Sequence, residues 1–318
     1  MFKPAWWCLG AHAQTIFARF FRPFPKLDLN RKRLETPDSD FLDLDYLAGD
    51  KDSPVVVVLH GLEGSSKVPY VQSLLGELQK IKWKAVAVNY RGCSGEANWL
   101  KQSYHSGKTE DLDFVLKCIL QEEKTNPIFL VGYSIGGNII LKWLGEQGKN
   151  VPPQIQKAVA VSVPYDLLRS VQVMDRGFNR EIYTRKLLTT LKAKALAKEK
   201  CFPGNVDEGR VKYSKTFKDF DREVTAPLNG FKDEIEYWTQ SSSLYYLDRI
   251  RLQTLLIHAK DDPFFPGSLL PLEQIKRSDY LKLVLTDKGG HLGFVSGNWP
   301  WKQELWLEKT ITDFFASP

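Results

Sequence analysis

Cysteine is scarce in this 318-residue chain, and the four present, Cys8, Cys93, Cys118 and Cys201, are scattered along it. No two have the spacing of a metal clip or a redox pair, and so few in a chain of this length make no disulfide framework. A reducing cytoplasm fits that usage. The five histidines form no metal motif. No uninterrupted run approaches the roughly 18 apolar residues of a membrane-spanning helix. The N-terminal stretch is apolar in part, but His12, Gln14 and Arg19 interrupt it, which makes a poor signal peptide. Repeats, low-complexity tracts, a P-loop and a dinucleotide fingerprint are all missing. Charge of one sign is missing too. Lys and Arg number 44 against 38 Asp and Glu, and a net +6 is too mild and too mixed to argue for nucleic acid. Much of the excess sits in residues 165–225, with 14 basic and 9 acidic side chains. That stretch reads as a solvated helical surface rather than as a site for anionic lipid or substrate. These absences lead us to expect no metal, no cofactor and no nucleic-acid partner. They leave at most peripheral membrane contact through Trp6, Trp7, Phe17, Phe20 and Phe21, and an aromatic cluster of this kind is expected to pack on the protein body.

What is present suits a soluble enzyme with one large core: 43% hydrophobic and 26% charged residues. Residues 55–60 (VVVVLH) read as a strand buried on both faces. Helix 68–81, strand 84–90, helix 109–123, strand 128–133, helix 135–147 and strand 157–163 follow. This order predicts a mostly parallel sheet in three layers. The rhythm breaks between 165 and 249, where the chain is helix-like, basic and aromatic. It resumes with strands at 253–259 and 281–286 and a final helix over 301–315. The expected organisation is an N-terminal extension over 1–29 packing on the core, a core of 30–164 and 250–318, and an inserted cap of 165–249. Tyr183, Phe202, Tyr213, Phe217, Phe231, Tyr237 and Trp238 of the cap are candidates to wall an apolar pocket.

The strongest local signal is Gly132-Tyr133-Ser134-Ile135-Gly136-Gly137, a G-x-S-x-G between an apolar strand and an amphipathic helix. A nucleophile lifted on such a strained turn leaves no room for bulk two residues either side, which is where Gly132 and Gly136 stand. The helix N-terminus behind it favours developing negative charge. Directly after strand 55–60 comes His60-Gly61-Leu62-Glu63-Gly64. The backbone amides of Leu62 and Ile135 are the candidate oxyanion donors, and His60 reads as a brace for this loop rather than a base. Asp261-Asp262-Pro263 follows strand 253–259, and Gly289-Gly290-His291 follows 281–286. Ser, acid and His then fall in one chain order, each after its own strand. Ser134, Asp262 and His291 are the predicted triad: His291 takes the serine proton, and Asp262 sets the tautomer and stabilises the imidazolium. Asp261 is expected to bond backbone amides of the turn or to face solvent. Arg91, Glu96 and His105, in the loops after strand 84–90, read as braces of the site's rim. Cys93 beside Arg91 is a weaker candidate for a reactive thiol.

Together these residues resemble the YheT-like branch of the α/β-hydrolases, bacterial relatives of the eukaryotic ABHD-type lipid hydrolases. The resemblance runs along nearly the whole chain, through HAQT at 12–15, HGLEG, NYRGCSGE, YHSG, GYSIGGN, DDPFFP and GGHLGF. It implies the α/β-hydrolase fold and cofactor-free hydrolysis of carboxylic esters, short-chain or acylglycerol. It also carries the nucleophile, acid and base onto Ser134, Asp262 and His291, and its offset from Pro266 selects Asp262 over Asp261. Eukaryotic members often have an N-terminal membrane segment, which this sequence lacks. A thioesterase or acyltransferase could use the same triad. A catalytically silent binding protein on this fold is the reading from another class, against which the intact triad argues.

Overall fold

The computed structural model describes residues 1–317; Pro318, the last residue of the expected core range, lies outside them. Eight strands form one sheet: β1 (Asn30–Glu35), β2 (Phe41–Leu47), β3 (Val55–Leu59), β4 (Lys84–Asn89), β5 (Ile128–Tyr133), β6 (Ile155–Val161), β7 (Thr254–Ala259) and β8 (Leu281–Thr286). Their order is β1-β2-β4-β3-β5-β6-β7-β8. From β4 to β8 all neighbours run parallel. Every residue of β3 is buried because helices cover both faces. The period of two divides the run. Val55, Val57 and Leu59 pack with α3 (Thr109–Glu122) and α4 (Ile135–Gln147), while Val56 and Val58 face α2 (Pro69–Lys80) and the C-terminal helix Trp306–Ala316. Each such fully buried side chain contributes about 1.5–3 kcal/mol of transfer free energy.

Two features depart from the alternation read in the sequence. The strands β1 and β2 add an antiparallel ribbon at one edge. NRKRLE carries a single apolar residue and does not look like a strand. It becomes one because Arg31 and Arg33 reach across in bidentate pairs to Asp45 and Asp43, at 2.8–2.9 Å, satisfying carboxylates buried in β2. The final helix begins at Trp306, not at 301. Residues 296–304 form a small hairpin, held by Trp299 stacked on Trp301 at 5.6 Å and by Ser296 Oγ donating to the Glu304 carbonyl.

Between β6 and β7 the chain makes a series of helical segments from Leu167 to Arg249, the longest being Arg185–Cys201, here α5. Asp166 opens the series by accepting the Arg169 amide as an N-cap. The segments share an apolar cluster, including Met174, Leu188, Val211, Phe220 and Val224, that also takes in Phe265 of the turn after β7. The N-terminal helix α1 (Ala11–Phe21) packs elsewhere, against the loop that follows β8.

Candidate active site

Ser134 stands between β5 and α4 with φ 54° and ψ −120°, a backbone region that costs a non-glycine residue free energy and is kept only where the surroundings enforce it. The packing that enforces it is visible at the flanking glycines. A Cβ on Gly132 would lie 2.4 Å from the Gly136 carbonyl oxygen, and one on Gly136 would lie 2.6 Å from that of Leu59. Ser134 is buried and faces a cavity, and its hydroxyl has no hydrogen-bond partner among the described residues. The amides of Ile135 and Leu62 also have no protein acceptor there, and both residues line the same cavity.

The loop carrying Leu62 is pinned from several sides. His60 is buried, its Nδ1 lies 2.7 Å from the Gly61 carbonyl, and its Nε2 accepts the Tyr90 amide, which sets the tautomer. Burial pushes the His60 imidazole down to about 4, so it stays neutral and braces the loop, as the sequence led us to expect. The Gly61 amide donates to the Tyr70 hydroxyl. Glu63 takes a positive φ of 55°; its amide donates to Tyr104 Oη at 2.9 Å, and its carboxylate accepts from Lys194 Nζ of α5 at 2.9 Å.

Asp262 and His291 meet as expected. His291 Nδ1 is 2.9 Å from Asp262 Oδ2, while the other oxygen, Oδ1, accepts the amides of Phe264 and Phe265. Burial alone would raise the Asp262 carboxyl. The charge and hydrogen bond of His291, aided by the Phe265 amide, hold it below the usual carboxylate range. The imidazole is stacked on Phe264, with ring centroids 4.2 Å apart. Asp261 behaves differently from its neighbour: its Oδ1 accepts the amide of Gly290 on the histidine loop, and its buried Oδ2 has no partner among the described residues.

Other candidates separate into braces and bystanders. Arg91 is buried and pairs with Asp38, Asp40 and Asp111. Glu96 pairs with Arg33 at the exposed edge. His105 lines the cavity, neutral because burial pushes it down to about 3. Burial pushes the Cys93 thiol up to about 11, which leaves it a poor nucleophile and corrects its reading as a reactive thiol. Among the described residues no group of three His, Cys, Asp or Glu is arranged to hold a metal ion.

Three positioning elements escaped the sequence reading. Thr15 Oγ1 accepts the His291 amide at 2.9 Å. Gln14 is buried and bonds both the amide and the carbonyl of Val295. Arg22, paired with Glu308 at 2.5 Å, donates to the carbonyls of Leu292 and Gly293. Together, residues of α1 and Arg22 at its C-cap hold the histidine loop. Gly290, at φ +60°, sits so close that a Cβ there would lie 2.4 Å from the Ala11 carbonyl oxygen. HAQT was visible as part of the resemblance, but nothing local says that it faces residue 291.

The cavity has a volume of about 1200 Å³ and reaches from Ser134 and His291 up into the helical insertion. Tyr183, Phe202, Phe217, Tyr237 and Trp238 line it. Phe231 instead packs on His105 and Tyr237, and Tyr213 is 80% exposed, so neither walls the pocket.

The family profile of the alpha/beta hydrolase fold matches residues 54–298. YheT of Escherichia coli (strain K12), which carries the name of a candidate esterase, is 39% identical over 97% of this chain and 91% of its own. This chain belongs to the α/β-hydrolases, in their YheT-like, ABHD-type branch. Human phospholipase ABHD3 is 26% identical over 98% of the chain and 78% of its own length. The monoacylglycerol lipase of Saccharomyces cerevisiae is 30% identical over 78% of the chain and 56% of its own. Among solved structures, the Pyrococcus furiosus esterase Pf2001 superposes with a TM-score of 0.59 at 16% identity, over 91% of this chain and 90% of that one. An acylaminoacyl peptidase superposes at 0.61 and 17% identity over 92% of this chain, which spans 42% of that enzyme's length. These superpositions concern the fold. No helix among the described residues is long and apolar enough to cross a membrane.

Proposed function

We propose that this α/β-hydrolase is a serine esterase that cleaves carboxylic esters of acyl chains, acylglycerols included, through an acyl-enzyme. One observation carries the reading: the strained Ser134 opens into the same cavity as a histidine whose far nitrogen is held by a buried carboxylate, at 2.9 Å. In the proposed cycle Ser134 Oγ attacks the ester carbonyl carbon as His291 Nε2 takes its proton. Negative charge then gathers on the carbonyl oxygen, for which the free amides of Leu62 and Ile135 are the donors. Asp262, accepting from Nδ1, stabilises the imidazolium. Collapse breaks the bond to the alcohol oxygen, and His291 returns the proton to it. Water repeats the sequence on the acyl-enzyme, releasing the acid and restoring Ser134.

The size and lining of the cavity support a lipid-like substrate. About 1200 Å³ exceeds the roughly 300–1,000 Å³ of an ordinary small-molecule pocket, and residues such as Met174, Leu187, Leu191 and Val224 make its walls apolar. The names of the lipase and phospholipase relatives agree with that class. The test is a fluorophosphonate probe followed by peptide mass spectrometry, beside a panel of esters of increasing acyl length. The adduct is expected on Ser134 and is expected to vanish, with turnover, in Ser134→Ala. An adduct on another serine, or undiminished turnover in the variant, sinks the proposal.

A further inference from the structure

The N-terminal aromatics, read in the sequence as one cluster packing on the body, divide in two. Trp7 and Phe17 do pack, with ring centroids 4.9 Å apart and the indole N–H donating to the Gly297 carbonyl. Trp6, Phe20, Phe21 and Phe24 keep most of their surface in solvent, although the Phe21 ring lies 4.9 Å from Phe17. They are exposed, and so are Trp299 and Trp301 of the hairpin, with Phe20 at 70% and Trp301 at 80%. Contacts join all of these but Phe24 into one surface. Trp6 lies 6.2 Å from Trp299, its indole N–H donates to the Asn298 carbonyl, and Trp299 stacks on Trp301. Gln303 of the same hairpin donates to the Phe21 carbonyl and ties it to the end of α1. On α1 itself Ile16, Arg19 and Phe20 share one face by their spacing, and all three line the cavity that holds Ser134. The aromatic surface is therefore continuous with the cavity mouth.

Its charge is mostly of one sign. Residues 1–29 contain Lys3, Arg19, Arg22 and Lys26 against Asp28, and the hairpin 296–304 adds Lys302 and Glu304, five basic side chains to two acidic. Arg22 is spent on Glu308, but Lys3, Arg19, Lys26 and Lys302 form no salt bridge among the described residues. Single exposed apolar side chains are ordinary. A contiguous aromatic surface accompanied by unpaired cations is not, and Trp and Phe beside Lys and Arg match the chemistry of a bilayer interface. A second copy of the chain suits it less well, since a two-fold contact would set these cations against themselves with only Asp28 and Glu304 to answer them. We infer that this face docks on an anionic lipid bilayer, lying in the interface without spanning it, and sets the cavity mouth against the lipid.

The inference does not depend on hydrolysis, so the test uses the full chain carrying Ser134→Ala, which cannot consume the vesicles by the proposed chemistry. Co-sedimentation is measured with phosphatidylglycerol vesicles and with phosphatidylcholine vesicles, together with tryptophan emission. Binding is expected to favour phosphatidylglycerol and to weaken with salt, and emission is expected to shift to the blue as the exposed indoles leave water. Phe20→Ser with Phe21→Ser is expected to weaken binding at least about tenfold. Lys26→Gln with Lys302→Gln is expected to weaken it about fivefold per charge. Circular dichroism establishes that each variant is folded. Absence of binding to phosphatidylglycerol overturns the inference. So does binding that neither pair of substitutions changes, and so does a concentration-dependent dimer in sedimentation equilibrium with no vesicle binding, which assigns the face to a second copy.

Discussion

Asp262→Asn is the most discriminating substitution at this site, because its surroundings dictate how the new amide must sit. One carboxylate oxygen of Asp262 accepts two backbone amides, from Phe264 and Phe265, at 2.8 and 3.1 Å. Both are donors, so the asparagine oxygen must stay with them, and its NH₂ group then faces His291 Nδ1. The ring can accept that bond only by placing its own proton on Nε2, which leaves no lone pair to receive the serine proton. In serine proteases the same exchange costs about 10⁴-fold in turnover, roughly 5 kcal/mol of barrier. The loss here is expected to be of that order, with the fold retained. Asp261→Asn provides the contrast. Its oxygen can still accept the Gly290 amide, and the changed atom is one that already lacks a partner. Turnover is expected to fall by about tenfold or less. The assay is steady-state kinetics on a soluble ester for the two variants, each checked by thermal unfolding and normalised to active sites. Equal losses, the reverse order, or a folded Asp262→Asn that keeps more than about a tenth of the turnover would refute the tautomer argument.

The remaining predictions reach beyond the two aspartates. Thr15→Val strands the His291 amide, an unmet bond that costs about 1–3 kcal/mol; kcat is expected to drop about tenfold with KM little changed, and Thr15→Ser is expected to restore it. Unchanged kcat would show that α1 does not position the base. Asp221, buried among the helical segments between β6 and β7, where it accepts from Thr225 and Trp238, has its carboxyl pushed up by burial to about 7. A raised carboxyl favours the folded state below its unfolded value of 3.8, and that advantage is lost as pH climbs towards 7, on the order of 4 kcal/mol. Asp221→Asn imitates the protonated form, so its Tm is expected to gain on wild type across that window; parallel Tm curves would contradict the assignment. Hydrolysis is expected to survive a chelator unchanged, and loss of activity reversed by added metal would count against the cofactor-free mechanism.

The parts of this protein that were legible in the sequence are those whose physics is local. A run such as VVVVL must be covered on both faces, whatever covers it, so the parallel core and its helices could be read nearly to the residue. The turn that carries Ser134 is local as well: Gly132 and Gly136 are required by contacts within five residues and by the neighbouring strand, and the pattern announces them. The chain order of serine, acid and histidine follows from which strands precede them. Long-range pairing is what sequence spacing does not record. The strand β1 gave no signal of its own because its partners, Asp43 and Asp45, lie across a turn and inside the sheet. Nothing near Thr15 or Arg22 points to a histidine loop more than 250 residues away, although both hold it. The choice between Asp261 and Asp262 rested on a resemblance until the turn's amides claimed one oxygen of Asp262 and left the other for His291. Likewise the division of the aromatics into packed Trp7 and Phe17 and exposed Trp6 and Phe20 depends on where the hairpin at 296–304 sits. Hydrophobicity is a property of each side chain, but burial is a property of its neighbours, and those only the folded chain supplies.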